Sequence, residues 1–123
     1  MPPFTLQEQD GAYLLQVVDL LVEIDNRAIL PDIQKQLPPR RPNVMVDIRH
    51  LDYVNSVGLS FLLSLYKSTQ LVSGRMIILT TMPSVVDLIA MTKLDSILHH
   101  RATVDEALAQ FAEWHATEQR QAS

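Results

Sequence analysis

Ser56 is the residue of this chain best placed to do chemistry. It lies in Leu51-Asp52-Tyr53-Val54-Asn55-Ser56-Val57-Gly58-Leu59, which joins an apolar strand to an amphipathic helix. A helix N-terminus presents unpaired backbone N–H groups and a partial positive charge, so it accommodates added negative charge. A hydroxyl held there can cap the helix, a contribution of about 1 kcal/mol, or it can receive a phosphate. The residues alone leave both roles open, and the roles are compatible. A phosphate would add about −1.5 to −2 charge at neutral pH. The helix end tolerates that charge, whereas a docked partner with an apolar or acidic surface does not. A switch built this way acts on binding rather than on folding.

The other reactive side chains form weaker patterns. Asp47 interrupts an apolar strand, which is costly unless its carboxylate is hydrogen-bonded. It reads as structural support for the loop before Ser56. Asp47 and Asp52 would make an acid/base pair only inside a polar pocket, and no such pocket is indicated. His99-His100 has no third ligand at a spacing that completes a metal site. Gly58 is not preceded by a glycine-rich loop, so it implies close approach of helix and strand and not a nucleotide cradle. The chain has no cysteine, which excludes disulfides, thiol catalysis and cysteine zinc sites. The expectation is a protein without catalytic residues, metal or cofactor.

The elements that must position Ser56 follow from patterning. Residues 4–9 and 12–18 read as two strands, and Asp10-Gly11 between them suits a two-residue hairpin turn. Residues 19–39 are mixed. Asp25 could cap a helix through Ala28, which Pro31 would break, or a shorter helix could run from Pro31 to Leu37. Residues 44–48 form a nearly continuous apolar strand, as expected of one covered on both faces. The helix after the Ser56 loop spans about 57–72, with Leu59, Leu62, Leu63 and Tyr66 as its core stripe. Phe61, Leu65 and Val72 fall on an adjacent face, which is either packed or a docking surface. Gly74 is the expected left-handed cap. A strand at 76–79 and a helix opened by Pro83 follow, the helix carrying Val85, Val86, Leu88, Ile89 and Met91. Ile97-Leu98 is an expected short edge strand. Thr103 and Glu106 form a capping box for a last helix that buries Val104, Ala107, Leu108 and Phe111. That helix is expected to fray after Trp114, with residues 115–123 a disordered tail.

Length and charge bound the rest. A chain of 123 residues suits one domain over 1–123, with its core at about 4–114. Hydrophobic residues make up 47% and charged residues 20%, too apolar for a disordered chain. The net charge of −4, with Arg40-Arg41 the one basic doublet, argues against nucleic acid as a partner. Met1-Pro2-Pro3-Phe4 shows no signal-peptide pattern, and the near-apolar run at 57–66 is shorter than the ~20 residues of a membrane span. A cytoplasmic location with no membrane insertion is expected. The element order gives an α/β fold: a small mixed β-sheet with a parallel centre, packed by about four helices.

These residues resemble the STAS domain family (sulphate transporter and anti-sigma factor antagonist), and closely its bacterial anti-sigma factor antagonists. The resemblance is carried by Val44-Met45-Val46-Asp47-Ile48 and then Val54-Asn55-Ser56-Val57-Gly58-Leu59. Gly74-Arg75-Met76-Ile77-Ile78-Leu79, Met82-Pro83-Ser84-Val85-Val86-Asp87-Leu88, Met91-Thr92-Lys93-Leu94-Asp95-Ser96-Ile97 and Asp105-Glu106-Ala107-Leu108 extend it to about Phe111. The resemblance implies that Ser56 is the phosphoacceptor and that the unphosphorylated protein binds an anti-sigma factor. That partner would be a serine kinase of the histidine-kinase-like ATPase fold, bringing its own ATP and Mg²⁺, and a metal-dependent serine phosphatase would reverse the modification. The implied docking surface is Tyr53, Val54, Asn55, Val57, Gly58 and Phe61, with Asp47 supporting the loop. Three positions depart from the family pattern. Asn55 stands for a frequent Asp, Val57 for a frequent Ser or Thr, and Lys93 for a glycine in a left-handed position. Val22-Glu23-Ile24-Asp25 matches the family only loosely. The departures at Asn55 and Val57 leave an alternative, a non-phosphorylated STAS subunit docking on a lipid or anion transporter complex.

Overall fold

The computed structural model describes residues 4–18 and 23–122, the side chains of residues 23–27 and 122 apart. Strands β1 (Phe4–Gln9) and β2 (Ala12–Val17) form the hairpin, paired antiparallel from Phe4↔Val17 to Gln9↔Ala12. Asp10 and Gly11 take φ of 53° and 83°, both positive as a type I′ turn requires. Three parallel steps follow: β3 (Asn43–Asp47) beside β2, β4 (Arg75–Leu79) beside β3, and β5 (His99–Arg101) beside β4. The sheet order is β1-β2-β3-β4-β5. Helices α1 (Glu23–Gln36), α2 (Ser56–Leu71) and α3 (Pro83–Met91) make the crossovers, and α4 (Val104–Ala122) closes the fold.

Strand alternation divides the core into two layers. Val44, Val46, Met76 and Ile78 face one side, against Ile29 and Ile33 of α1, Phe61, Leu62 and Leu65 of α2, and Val85 and Ile89 of α3. Crossovers of one hand, advancing in one direction across the sheet, must all lie on one face. Met45, Ile77 and Leu79 point to the other side, where Ala107 and Phe111 of α4 cover them. Burial on both faces explains why β3 and β4 read as continuous apolar runs.

Several local expectations are corrected. α1 is one helix running through Pro31, neither of the two shorter segments expected. An interior proline costs roughly 3 kcal/mol. Pro31 is exposed while Ile29 and Ile33, one turn apart, are buried, and burying two such side chains contributes about 1.5–3 kcal/mol each, enough to offset it. Val22 and the side chain of Asp25 lie outside the described residues.

The buried stripe of α2 is Gly58, Phe61, Leu62, Leu65 and Thr69; Leu59, Leu63 and Tyr66 are only half-buried. Ser73, with φ 61°, is the left-handed residue after α2, not Gly74. The Ser73 N–H donates to Gln70 O and the Gly74 N–H to Thr69 O, a Schellman closure. Gly74 answers a different need, because a Cβ there would stand 2.5 Å from the Pro42 carbonyl oxygen. Lys93 is left-handed as expected, with φ 60°.

The edge strand is His99–Arg101, not Ile97-Leu98; Leu98 is a fully buried loop residue just before it. Met91 of α3 is 80% exposed and does not join Val85 and Ile89 in the core. Residues 115–122 continue α4 and do not form a tail. Thr117 Oγ1 donates to Glu113 O, and Arg75 of β4 donates to Glu118, tying this extension to the sheet. No described helix is long and apolar enough to cross a membrane.

Candidate functional site

The loop from Ile48 to Asn55 connects the end of β3 to the start of α2, and three contacts fix it. The first is Asp47, only 6% exposed. Its Oδ1 accepts from the Arg49 backbone N–H at 3.1 Å and from Arg49 Nε at 2.9 Å, and its Oδ2 accepts from Arg49 Nη2 at 2.9 Å. Burial by itself would raise the Asp47 carboxyl. The Arg49 hydrogen bonds and charge, with a smaller contribution from His50, hold it below its usual value instead. The same pairing raises Arg49. A carboxylate saturated in this way braces the loop and is not available as a base.

The second contact is Ser84 at the start of α3, whose Oγ donates to the Asp52 carbonyl at 2.6 Å. The third is Asn55, the N-cap of α2, in extended conformation with its Oδ1 accepting from the Gly58 N–H at 3.0 Å. Asn55 therefore performs the capping that the sequence offered to Ser56. Asn and Asp cap about equally well, so Asn55 in place of Asp leaves the helix start intact. Ser56 is the first helical residue, exposed, and its hydroxyl has no hydrogen-bond partner among the described residues. The first turn of α2 carries no acidic side chain.

The expected docking residues separate by exposure. Tyr53 is 59% exposed, Asn55 and Val57 are half-buried, and together they surround Ser56 in sequence. Val54 and Phe61 are buried at 3% and 4%, and Gly58 is buried at the helix start. Phe61 and Leu65 pack into the core beside α1 and α3, so neither is offered to a partner, and Val54 is a core residue of the loop. Arg49 and Ser84 were not singled out by the sequence. The signal for Arg49 was its spacing, since an Asp side chain readily accepts from the backbone N–H two residues on in a turn. His50 Nε2 also lies 3.4 Å from the Val18 carbonyl, linking this loop to the end of β2, and Val18 itself is 44% exposed. Among the described residues no cluster of three or more His, Asp or Glu could hold a metal ion. His99 instead meets the Trp114 ring edge-on.

The family model of the STAS domain matches residues 4–107, which covers all five strands and the Ser56 loop. The chain belongs to the STAS domain family. Solved structures of similar fold include an anti-sigma factor antagonist from Mycobacterium paratuberculosis, at 22% identity and a TM-score of 0.69, with 87% of this chain and 91% of that one covered. An anti-sigma-factor antagonist (STAS) domain protein from Planctomyces limnophilus is similar at 15% identity and a TM-score of 0.70, covering 89% and 97%. The anti-sigma factor antagonist SpoIIAA in its unphosphorylated form gives 17% identity and a TM-score of 0.68, covering 89% and 96%. No curated protein sequence matches the chain. At these identities the structural likeness establishes the shared fold, a mixed five-stranded sheet with four helices, and the residues of this STAS domain must carry the functional argument.

Proposed function

We propose that this STAS domain is an anti-sigma factor antagonist worked by phosphorylation of Ser56. The carrying observation is the exposed Ser56 hydroxyl, which α2 does not use because Asn55 caps the helix in its place. Its position in the first turn puts added negative charge where the helix favours it, and the Asp47–Arg49 clamp keeps the loop in one shape around it. Unphosphorylated, the domain docks through Tyr53, Asn55, Ser56 and Val57 on an anti-sigma factor that is also a serine kinase of the histidine-kinase-like ATPase fold. Docking releases the sigma factor for transcription. Phosphorylation places about −1.5 to −2 charge within that interface and separates the partners. A metal-dependent serine phosphatase restores the complex. The domain itself catalyses nothing and acts in the cytoplasm.

The test uses Ser56→Ala and Ser56→Asp as baits in native lysate. Retention of an ATPase-fold kinase by the Ala form and its loss with the Asp form is the expected result. Equal capture of a lipid or anion transporter component by both baits would replace the switch with a constitutive subunit, the reading that Asn55 and Val57 leave open.

A further inference from the structure

We propose that a cleft between α2, β4, β5 and α4, at the far end of α2 from Ser56, binds a small aromatic carboxylate. The cleft measures about 180 Å³, and Tyr66, Gln70, Arg75, His99 and Trp114 are among its lining residues. A cavity of about 150 Å³ holds benzene, so this is the size class of one ring bearing one carboxylate. Rings build one side of it. His99 stands edge-on to Trp114 with centroids 5.1 Å apart, and Phe111 braces the same indole at 6.0 Å. The Arg75 guanidinium lies 5.1 Å from the Trp114 ring centroid.

Two of its polar groups can only donate, the Arg75 guanidinium and the Trp114 indole N–H, while the Tyr66 hydroxyl and the Gln70 side-chain amide can donate or accept. Among the described residues the Tyr66, Gln70 and Trp114 polar groups form no hydrogen bond to the protein. Burial, then the charges of Arg101 and His100, push His99 below its ordinary value and keep it neutral near pH 7, with one ring nitrogen available to donate. An aromatic wall beside a guanidinium and an indole N–H suits a planar molecule that carries an anionic acceptor.

Glu118 supplies a second observation. From the last turns of α4 its carboxylate accepts a hydrogen bond from Arg75 beside the Trp114 ring. A carboxylate of the chain itself thus sits on the guanidinium that a ligand carboxylate would take. Glu118 is half exposed, so water can solvate its carboxylate once it leaves Arg75. It acts as an internal competitor, neutralising Arg75 in the free protein and giving way to the ligand.

Trp114 is the only tryptophan of the chain, so its emission reports on this cleft alone. The experiment titrates the full chain with benzoate, with benzamide as the neutral isostere and acetate as the charge without the ring. A saturable emission change with benzoate alone is expected, accompanied by amide shifts at Gln70 and Gly74 in NMR spectra. Glu118→Gln should tighten benzoate binding by up to about tenfold, and Arg75→Gln should abolish it. An equal response to benzamide, a change that does not saturate, or a Glu118→Gln protein with unaltered or weaker affinity would overturn the site. Should Arg75→Gln fail to fold, the wild-type and Glu118→Gln titrations still decide.

Discussion

Asp47 keeps its charge in a place where a lone carboxylate would lose it. Three hydrogen bonds from one residue, Arg49, outweigh the burial. Its folded-state value therefore lies below the value of the unfolded chain, and the sign of the pH dependence follows. The clamp contributes stability at pH above about 4, and that contribution is lost as pH falls through the lower folded-state value. Asp47→Asn should cost about 1–3 kcal/mol at pH 7, the range for a buried hydrogen bond to a charged group, with discount for the partly exposed Arg49. In urea titrations the gap between wild type and variant should close on acidification below that range. A gap that stays constant down to pH 2 would mean that packing, and not charge, holds the loop. The sequence announced that Asp47 needed a partner but not which one, because the turn after Asp47 decides which side chain comes within reach of its carboxylate.

At the scale of elements, β1 to β4 and the helices α2, α3 and α4 were legible, from the hairpin turn, the continuous apolar runs of β3 and β4 and helical periodicity, whereas β5 was placed two residues early because the buried Leu98 precedes it. α1 was not legible, because Pro31 is a local rule overridden by tertiary packing. Ile29 and Ile33 anchor the helix to the sheet regardless of the missing N–H. Pro31→Ala should therefore restore a backbone hydrogen bond and stabilise the domain by roughly 2–2.5 kcal/mol, the interior-proline cost less the entropy that proline removes from the unfolded chain. A rise in the urea midpoint without a change in slope is the expected observation. A lower midpoint would show that the proline ring itself is packed. The end of α4 was illegible for a related reason. Its polar residues look like a solvated tail, and only the fold brings Arg75 within reach of Glu118.

The whole molecule separates its two ends. All parallel strands point towards the Ser56 loop, while the Pro42, Gly74 and Arg75 end lies a full helix length away, about 24 Å for the 16 residues of α2. The sequence identified Ser56 as the residue at issue but left open a capping role that Asn55 fills, since Asn55 and Ser56 are both capping types and only backbone conformation distinguishes N-cap from first turn. That distinction controls how a charge at Ser56 is felt. An acceptor lost from the cap would destabilise α2, whereas an anion added in the first turn interacts favourably with the helix dipole, by about 0.3–1 kcal/mol at a surface. Ser56→Asp should consequently be as stable as wild type or more so by that amount in urea unfolding, with the same pattern of slow amide exchange in β3 and β4. It should do so while losing the proposed kinase partner. A Ser56→Asp protein destabilised by more than about 1 kcal/mol would make phosphorylation a folding switch, and the loss of partner would then follow from a disordered α2 and not from charge at an otherwise unchanged surface.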